Sequence, residues 1–414
     1  MRVLHFYKTF GPDQFGGVEM FIRHLTHATS ALGCENTVLS LADEPLPPLQ
    51  TPSFRMYQAR QDLNLASTGF SWSVFKDFAR LAEEADVIHY HFPWPFMDLV
   101  HLIKGLNKPS VVTYHSDIVR QKVLLQVYRP LMHAFLGRVD AIAATSPNYL
   151  QSSNVLRRYQ DKALSIPIGL DQSLYPIPDA GAVAQLQRRY GERFFLFVGV
   201  QRYYKGLHFL LEAMKTAPWP LLIVGVGPME QELMRMAERF QLTNVHFLGR
   251  VDEQKKINLM QACYSVIFPS HLRSEAFGIG LLEGAMFGKP LICCEVGTGT
   301  SFINQHESTG IVVPPMDASA LRQAMQILWD NPALAQRFGE AARARYLEVF
   351  TAQYLGQAYT ELYMQVVSRR NAQTGQERPA TLKHACAARV VDPIAQRSPT
   401  YSQSETKRKT QAEG

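Results

Sequence analysis

Long apolar runs are missing from this chain. No stretch of its 414 residues reaches the roughly 18 uninterrupted apolar positions that a membrane-spanning helix needs. The N-terminus enters a strand pattern directly, without a basic segment followed by an apolar one, so no secretory leader is expected. Cysteine is scarce as well. The five thiols (Cys34, Cys263, Cys293, Cys294 and Cys386) are odd in number and none has CxxC spacing; they read as buried thiols of a reducing cytoplasm. An excess of one charge is lacking over most of the length. The formal net charge is +6, but residues 368–414 hold nine Lys/Arg against four Asp/Glu. The body before them is close to neutral and gives no reason to expect a nucleic-acid partner.

What remains is a composition able to fold: 46% hydrophobic and 19% charged residues, in a length that suits two domains. Residues 2–7 form a strand pattern, a loop carries Gly16-Gly17, and a helical pattern over 18–32 stops at Gly33, as in the first unit of a doubly wound sheet. Strand patterns at 86–92 and 109–117 each end in histidine, and a helix over 118–136 and a strand at 140–146 follow. A second series opens at 194–199 and continues with helices at 207–217, 229–240 and 253–263 between strands at 221–225, 245–248 and 264–268. Alternation of this kind means parallel sheets with right-handed crossovers. Its restart after the 170s predicts two Rossmann-like domains, 1–175 and 176–350. A helix over 351–370 and a basic tail over 371–414 complete the chain; the tail has no apolar periodicity and is expected to be disordered.

The residues most suggestive of chemistry are Glu275 and Glu283. They flank a glycine-rich link between a strand pattern and a short helix closed by Gly288, where parallel α/β sheets bind ligands. Were the span wholly helical, the two would stand about 12 Å apart along the axis: far enough to touch two parts of one extended ligand, too far to share a proton. A surface acid and a helix acid that fall at this spacing by chance is the plain alternative. Arg202 and Lys205 lie between a strand and a helix, where cations can neutralise a diphosphate leaving group. Gly16-Gly17 permits close backbone approach before a helix N-terminus that favours anions. His89 and His91 share one strand face, and with His115 they raise a metal site; no acidic or cysteine ligand pattern accompanies them, so they read as core or rim histidines. Residues 118–162 carry seven basic and two acidic side chains. A packing helix accounts for part of that region, and a membrane-surface patch is the other reading.

The combination Pro269-Ser270, Glu275-Ala276-Phe277-Gly278, Glu283-Gly284 and Gly288-Lys289-Pro290 resembles the signature of the retaining glycosyltransferases of family 4. The resemblance covers about residues 1–365 and implies the GT-B fold, two Rossmann-like, doubly wound parallel-sheet domains facing across a cleft, with the last helix crossing back onto the N-terminal domain. By this resemblance Glu275 contacts the donor sugar and Glu283 the ribose. Gly16 and Gly17 face the donor diphosphate and the acceptor, and His115, in Thr113-x-His115, lies beside the reacting sugar. Lys205-Gly206 matches the family's Lys-Gly, whereas Val200 occupies its usual Arg position and Arg202 is the candidate replacement. Gly199, Gly225, Gly249 and Arg250 follow strands that border the nucleotide, and Phe277, Gly278 and Ile279 belong to the donor-binding turn. The loop Gly297-Thr298-Gly299-Thr300, either a donor-holding loop or a simple turn, and the opening segment from Arg2 to Lys8 are similar to those of GDP-mannose-type O-antigen and lipopolysaccharide mannosyltransferases.

The implied protein is a hexosyltransferase that works without a metal or other cofactor. It would transfer mannose or a 6-deoxy relative from GDP-mannose or a GDP-6-deoxyhexose to a glycan acceptor, lipid-linked, from the cytoplasm and peripherally at an anionic membrane surface on the cytoplasmic face of the inner membrane. A nucleotide-sugar epimerase of the same architecture and a non-catalytic nucleotide-sugar-binding protein stay open as rivals.

Overall fold

The computed structural model describes residues 1–14, 16–65, 68–118 and 122–374. The N-terminal sheet draws on β1 (Arg2–Thr9), β2 (Glu35–Ala42), β3 (Leu49–Gln50), β4 (Arg55–Arg60), β7 (Val87–Phe92), β8 (Ser110–Tyr114), β9 (Ala141–Ala144) and β10 (Ala163–Ser165), with β5 (Leu63–Leu65) and β6 (Thr68–Phe70) forming a separate hairpin. Its eight strands run in the order β10-β9-β8-β7-β1-β2-β4-β3, all parallel except β3. The second sheet holds β11 (Phe195–Val198), β12 (Leu221–Val224), β13 (Val245–Gly249), β14 (Ser265–Phe268), β15 (Leu291–Cys294) and β16 (Gly310–Val313), all parallel, in the order β13-β12-β11-β14-β15-β16. Strand order reverses between β1 and β7 in one sheet and between β11 and β14 in the other. These switch points leave a crevice at the carboxyl ends of the strands, where ligands bind.

Around the first sheet stand α1 (Gly17–Ser30), α2 (Val74–Glu84), α3 (Pro95–Lys104), α4 (Lys122–Arg138) and α5 (Pro147–Ser152). The second carries α6 (Ala180–Tyr190), α7 (Leu207–Ala213), α8 (Glu230–Arg239), α9 (Glu253–Ala262), α10 (Ile279–Met286), α11 (Gly299–Ile303), α12 (Ala318–Asp330) and α13 (Pro332–Val349). Because both faces of a parallel sheet are covered, its central strands are buried throughout; all six residues of β7 are. Alternation then sorts side chains. Leu4, Phe6, Ile88, Tyr90 and Phe92 enter one core, while Val3, Tyr7 and Val87 enter the other with Phe21 and Leu25 of α1. His5, His89 and His91 lie on this second face.

The last helix, α14 (Ala352–Thr374), packs on α1 of the N-terminal domain. Its Tyr363 hydroxyl lies 2.7 Å from His89 Nδ1, its Tyr359 hydroxyl 2.6 Å from Thr113 Oγ1, and its Arg370 3.1 Å from Asp140. The helix continues past the expected end at 370, so residues 371–374 are helical. The remainder of the tail, 375–414, and Arg120 lie outside the described residues. Between Gly33 and Asp86, where sequence periodicity is weak, the fold has β2 to β6 and α2. Among the described residues no helix is long and apolar enough to cross a membrane.

Candidate active site between the two domains

The floor of the site comes from the loops after β11 and β14, neighbours in the sheet although 70 residues separate their key side chains. Gly206 sets their approach. Its φ is +71°, and a Cβ there would lie 2.0 Å from the Pro269 carbonyl oxygen, so only glycine brings the two loops this close. Beside it, Lys205 Nζ donates to Glu275 Oε2 at 2.5 Å, and Ser270 Oγ donates to the same oxygen at 3.1 Å. Lys205 also sits 4.4 Å over the Phe268 ring. Both partners are buried, at 8% and 7% exposure. Sequence reasoning assigns them separate parts of a donor; the structure places them in one ion pair.

Gly278, at φ +104°, is the N-cap of α10 and leaves the helix without a side-chain cap, so the first N–H groups after it are available to an anion. Phe277 is buried, and Ile279 opens the helix. Since residues 275–278 are not helical, the fully helical spacing of the two glutamates does not apply. Glu283 sits one turn into α10 and accepts from Lys256 Nζ of α9 at 2.7 Å, while Lys256 also reaches Glu253 at 2.8 Å. Burial works against the Lys256 ammonium, but Glu283 and Glu253 outweigh it and raise its pKa. Burial, then Glu283, also pushes the Tyr175 phenol well up. Lys256 and Tyr175 carry no motif that marks them in the sequence.

Gly199, Gly225 and Gly249 stand at the carboxyl ends of β11, β12 and β13 and are tied across the rim: Gly199 N–H donates to Val224 O at 3.0 Å and Gly225 N–H to Gly249 O at 2.8 Å. Arg250 and Arg202 are exposed there. Across the cleft, α1 starts at Gly17 with Gly16 as its N-cap. No described atom would lie within 4 Å of a Cβ at Gly17, so packing does not require that glycine. Lys8, absent from the sequence-based site, stands at the end of β1; burial lowers its pKa, Glu19 raises it and Arg202, from the opposite domain, lowers it. His115 follows β8, edge-on to Phe21 at 4.9 Å, and burial takes its pKa to about 3.

The domains are pinned together beside these residues. Arg273, in the loop that carries Glu275, reaches Asp117 at 3.2 Å and Ser152 at 2.9 Å, both N-terminal, and the Gly297 carbonyl at 3.0 Å. Asn148 bonds Ser301 at 3.0 Å. In the segment 297–300 the threonine hydroxyls are not turned outward as donor-holding groups. Gly299 and Thr300 belong to α11, and the threonine hydroxyls turn inward, Thr298 to the Glu275 carbonyl at 2.7 Å and Thr300 to the Cys294 carbonyl at 3.1 Å. The Gly299 N–H donates to Ala276 O at 3.0 Å. These bonds brace Glu275 from behind.

Two doubly wound domains, with a buried lysine and carboxylate at one switch point and a glycine-started helix and a histidine at the other, define the GT-B class of glycosyltransferase. Comparison with known proteins agrees. Residues 15–173 match the family model "Glycosyltransferase Family 4", and residues 182–345 match "Glycosyl transferases group 1". The D-rhamnosyltransferase WbpZ of Pseudomonas aeruginosa is 56% identical over 353 residues, 85% of this chain and 93% of its own. The O-antigen chain mannosyltransferase C of Escherichia coli is 47% identical over 372 residues, 90% of this chain and 100% of its own. Among solved structures, the sucrose-phosphate synthase of Thermosynechococcus elongatus superposes with a TM-score of 0.73 at 24% identity, over 89% of this chain and 99% of that one. WaaG, a glycosyltransferase involved in lipopolysaccharide biosynthesis, gives 0.66 at 18% identity, over 87% and 99%. The chain belongs to this family of GT-B glycosyltransferases.

Proposed function

We propose that this glycosyltransferase transfers a hexose, mannose or a 6-deoxy relative such as D-rhamnose, from a GDP-sugar to a glycan acceptor in O-antigen biosynthesis, with retention of anomeric configuration. The observation that carries the reading is the Lys205–Glu275 pair at the β11/β14 switch point, behind the uncapped start of α10, in a chain 56% and 47% identical to a D-rhamnosyltransferase and an O-antigen mannosyltransferase. The donor diphosphate would take Lys205 from Glu275, with Arg202 and Lys8 closing around it and the α10 N–H groups meeting the phosphate. Cations and backbone dipoles aimed at the departing charge then assist the leaving group, and no metal enters this scheme. Glu275, released, would orient the sugar; Glu283, held by Lys256, would meet the ribose. The acceptor would enter beside Gly16, Gly17 and His115. A lipid-linked acceptor, met at an anionic cytoplasmic membrane face through residues 118–162, completes the reading.

Thermal unfolding with GDP, UDP, ADP and dTDP tests the donor. A ligand at a hundredfold its Kd stabilises by about 2.7 kcal/mol, so GDP alone should raise the Tm by several degrees. A larger rise with UDP overturns the assignment. Incubation with GDP-mannose and GDP-D-rhamnose, with and without a lipid-linked oligosaccharide, tests the transfer: sugar on the lipid supports it, isomerised nucleotide-sugar points to an epimerase, and binding alone points to a non-catalytic protein. Loss of binding to anionic vesicles on replacing Arg120, Lys122 and Arg129 with Gln tests the membrane face.

A further inference from the structure

Behind His115 lies a chain of hydrogen bonds that ends at a group of fixed polarity. Asn36 Nδ2 donates to two carbonyls, Thr26 O at 3.0 Å and Ser53 O at 3.2 Å. Its Oδ1 is therefore an acceptor, and it lies 3.2 Å from His5 Nε2. His5 Nδ1 lies 3.2 Å from His91 Nε2, and His91 Nδ1 lies 3.2 Å from His115 Nε2. A neutral imidazole has one donor and one acceptor nitrogen, so the amide at one end dictates every tautomer in turn. His5 must carry its proton on Nε2, which leaves Nδ1 to accept from His91 Nε2–H. His91 Nδ1 must then accept from His115 Nε2–H. The last nitrogen, His115 Nδ1, has no partner among the described residues and belongs to a ring left 7% exposed at the cleft.

We infer that Asn36, His5 and His91 are positioning residues that lock His115 into its Nε2–H tautomer, so that its bare Nδ1 accepts a hydrogen bond from a substrate hydroxyl in the cleft. The hydroxyl's place on a sugar rests on the function proposed above; the lock does not. Neutrality of the rings is part of the device. Burial takes His5 to about 4 and His115 to about 3, and depresses His91 and the adjoining His89 well below the ordinary value. Tyr7 and Phe21 pack on the relay and Tyr359 and Tyr363 on the adjoining His89, and no described carboxylate acts on any of the four histidines. A protonated His115 would donate from both nitrogens and lose its function as acceptor. The competing use of the cluster is a metal site, since nitrogens of His5, His89 and His91 lie within 4.8 Å of one another. Against it, both His89 nitrogens already meet hydroxyls at 2.7 Å, Tyr363 and Thr113, and no anionic ligand is present to offset a buried dication.

Nitrogen-15 NMR of the full chain labelled at histidine tests this without a substrate. The expected result is His115 as the Nε2–H tautomer, unchanged from pH 8 to pH 5. Finding Nδ1–H or a protonated ring in that range overturns the lock, and so does a stoichiometric metal that survives chelation. His91→Leu should release the tautomer and lower kcat/KM for transfer from GDP-mannose by about tenfold, the worth of one hydrogen bond, with GDP affinity unchanged. His91→Asn, whose amide oxygen can accept the Nε2–H, should restore both. A wild-type tautomer and kcat/KM in His91→Leu overturn the proposal. Bound GDP-mannose should shift the Nδ1 resonance where GDP does not; if it binds and leaves Nδ1 unmoved, the acceptor role falls. If GDP-mannose does not bind at all, the donor assignment fails, and the tautomer measurement still decides the lock.

Discussion

Lys205 Nζ and Glu275 Oε2 stand 2.5 Å apart in the floor of the cleft, on side chains only 11% and 10% exposed. Each keeps the other's charge paired until a ligand intervenes. Removing one member of a buried pair costs about 3–5 kcal/mol, whereas replacing both with apolar groups is often neutral. Lys205→Met alone is therefore expected to shift the urea midpoint down strongly, and Lys205→Met with Glu275→Leu to recover most of the loss. Equal midpoints for the single and double variants would show that the pair is not coupled.

That pairing was not legible in the sequence, although both residues were. Lys205 and Glu275 lie in the segments that follow β11 and β14, and Glu283 on the helix after the second; local strand–loop–helix patterning is enough to mark them. Their partners come from elsewhere. Lys205 meets Glu275 because β11 and β14 are adjacent in the sheet, and Glu283 meets Lys256 because α9 and α10 cover the same face; neither follows from spacing. The same holds for Lys8 and for the Asn36–His5–His91–His115 relay, drawn from β2, β1, β7 and the end of β8. The threonines of 297–300 mislead for the opposite reason. A glycine-threonine run suggests an open anion-binding loop, whereas burial of Thr298 and Thr300 turns their hydroxyls to the chain's own carbonyls.

Stability should depend on pH through the buried histidines. For His5, burial lowers the folded-state value to about 4, and for His115 to about 3, while an unfolded histidine titrates near 6.5. The unfolded state therefore binds protons first. Stability is fully present above about 6.5 and is lost as pH falls toward about 4, at roughly 1.4 kcal/mol per pH unit for each such ring. The urea midpoint should stay level from pH 8 to 7 and drop steeply from 6.5 to 5, with several protons taken up on unfolding. A flat profile across that window would mean that the rings are not held neutral.

Arg273 ties the domains through Asp117 and Ser152, and the ion pair is partly exposed, at 33% and 19%. An exposed or half-exposed pair contributes about 1 kcal/mol or less, so Arg273→Ala should leave the urea midpoint almost unchanged. Domain closure is more sensitive, because few bonds of this kind span the cleft mouth. Small-angle scattering should give a larger radius of gyration, and kcat and KM should change together, as they do when a closing motion is altered. An unchanged radius would assign closure to the Ser152–Gly297 and Asn148–Ser301 contacts and the packing of α14.

The two glutamates are expected to separate in kinetics, because their partners differ. Glu283 is held by Lys256 at 2.7 Å on the helix face and would meet the ribose, a contact made equally in ground and transition states. Losing such uniform binding raises KM with little change in kcat, so Glu283→Gln should weaken GDP binding and leave turnover at saturation nearly intact. Glu275 is held by Lys205 and Ser270, and its carbonyl by Thr298, so its position is fixed while its charge is free to respond once the diphosphate claims the lysine. A hydrogen bond to a charged group is worth about 1.5–3 kcal/mol, roughly ten- to a hundredfold in rate, and Glu275→Gln should lower kcat by that factor. The same change removes the anion that competes with diphosphate for Lys205, so GDP should bind Glu275→Gln at least as tightly as wild type. Calorimetry with GDP beside steady-state kinetics decides the matter: a loss of GDP affinity in Glu275→Gln as large as in Glu283→Gln would place both carboxylates on the nucleotide and leave the sugar to other groups.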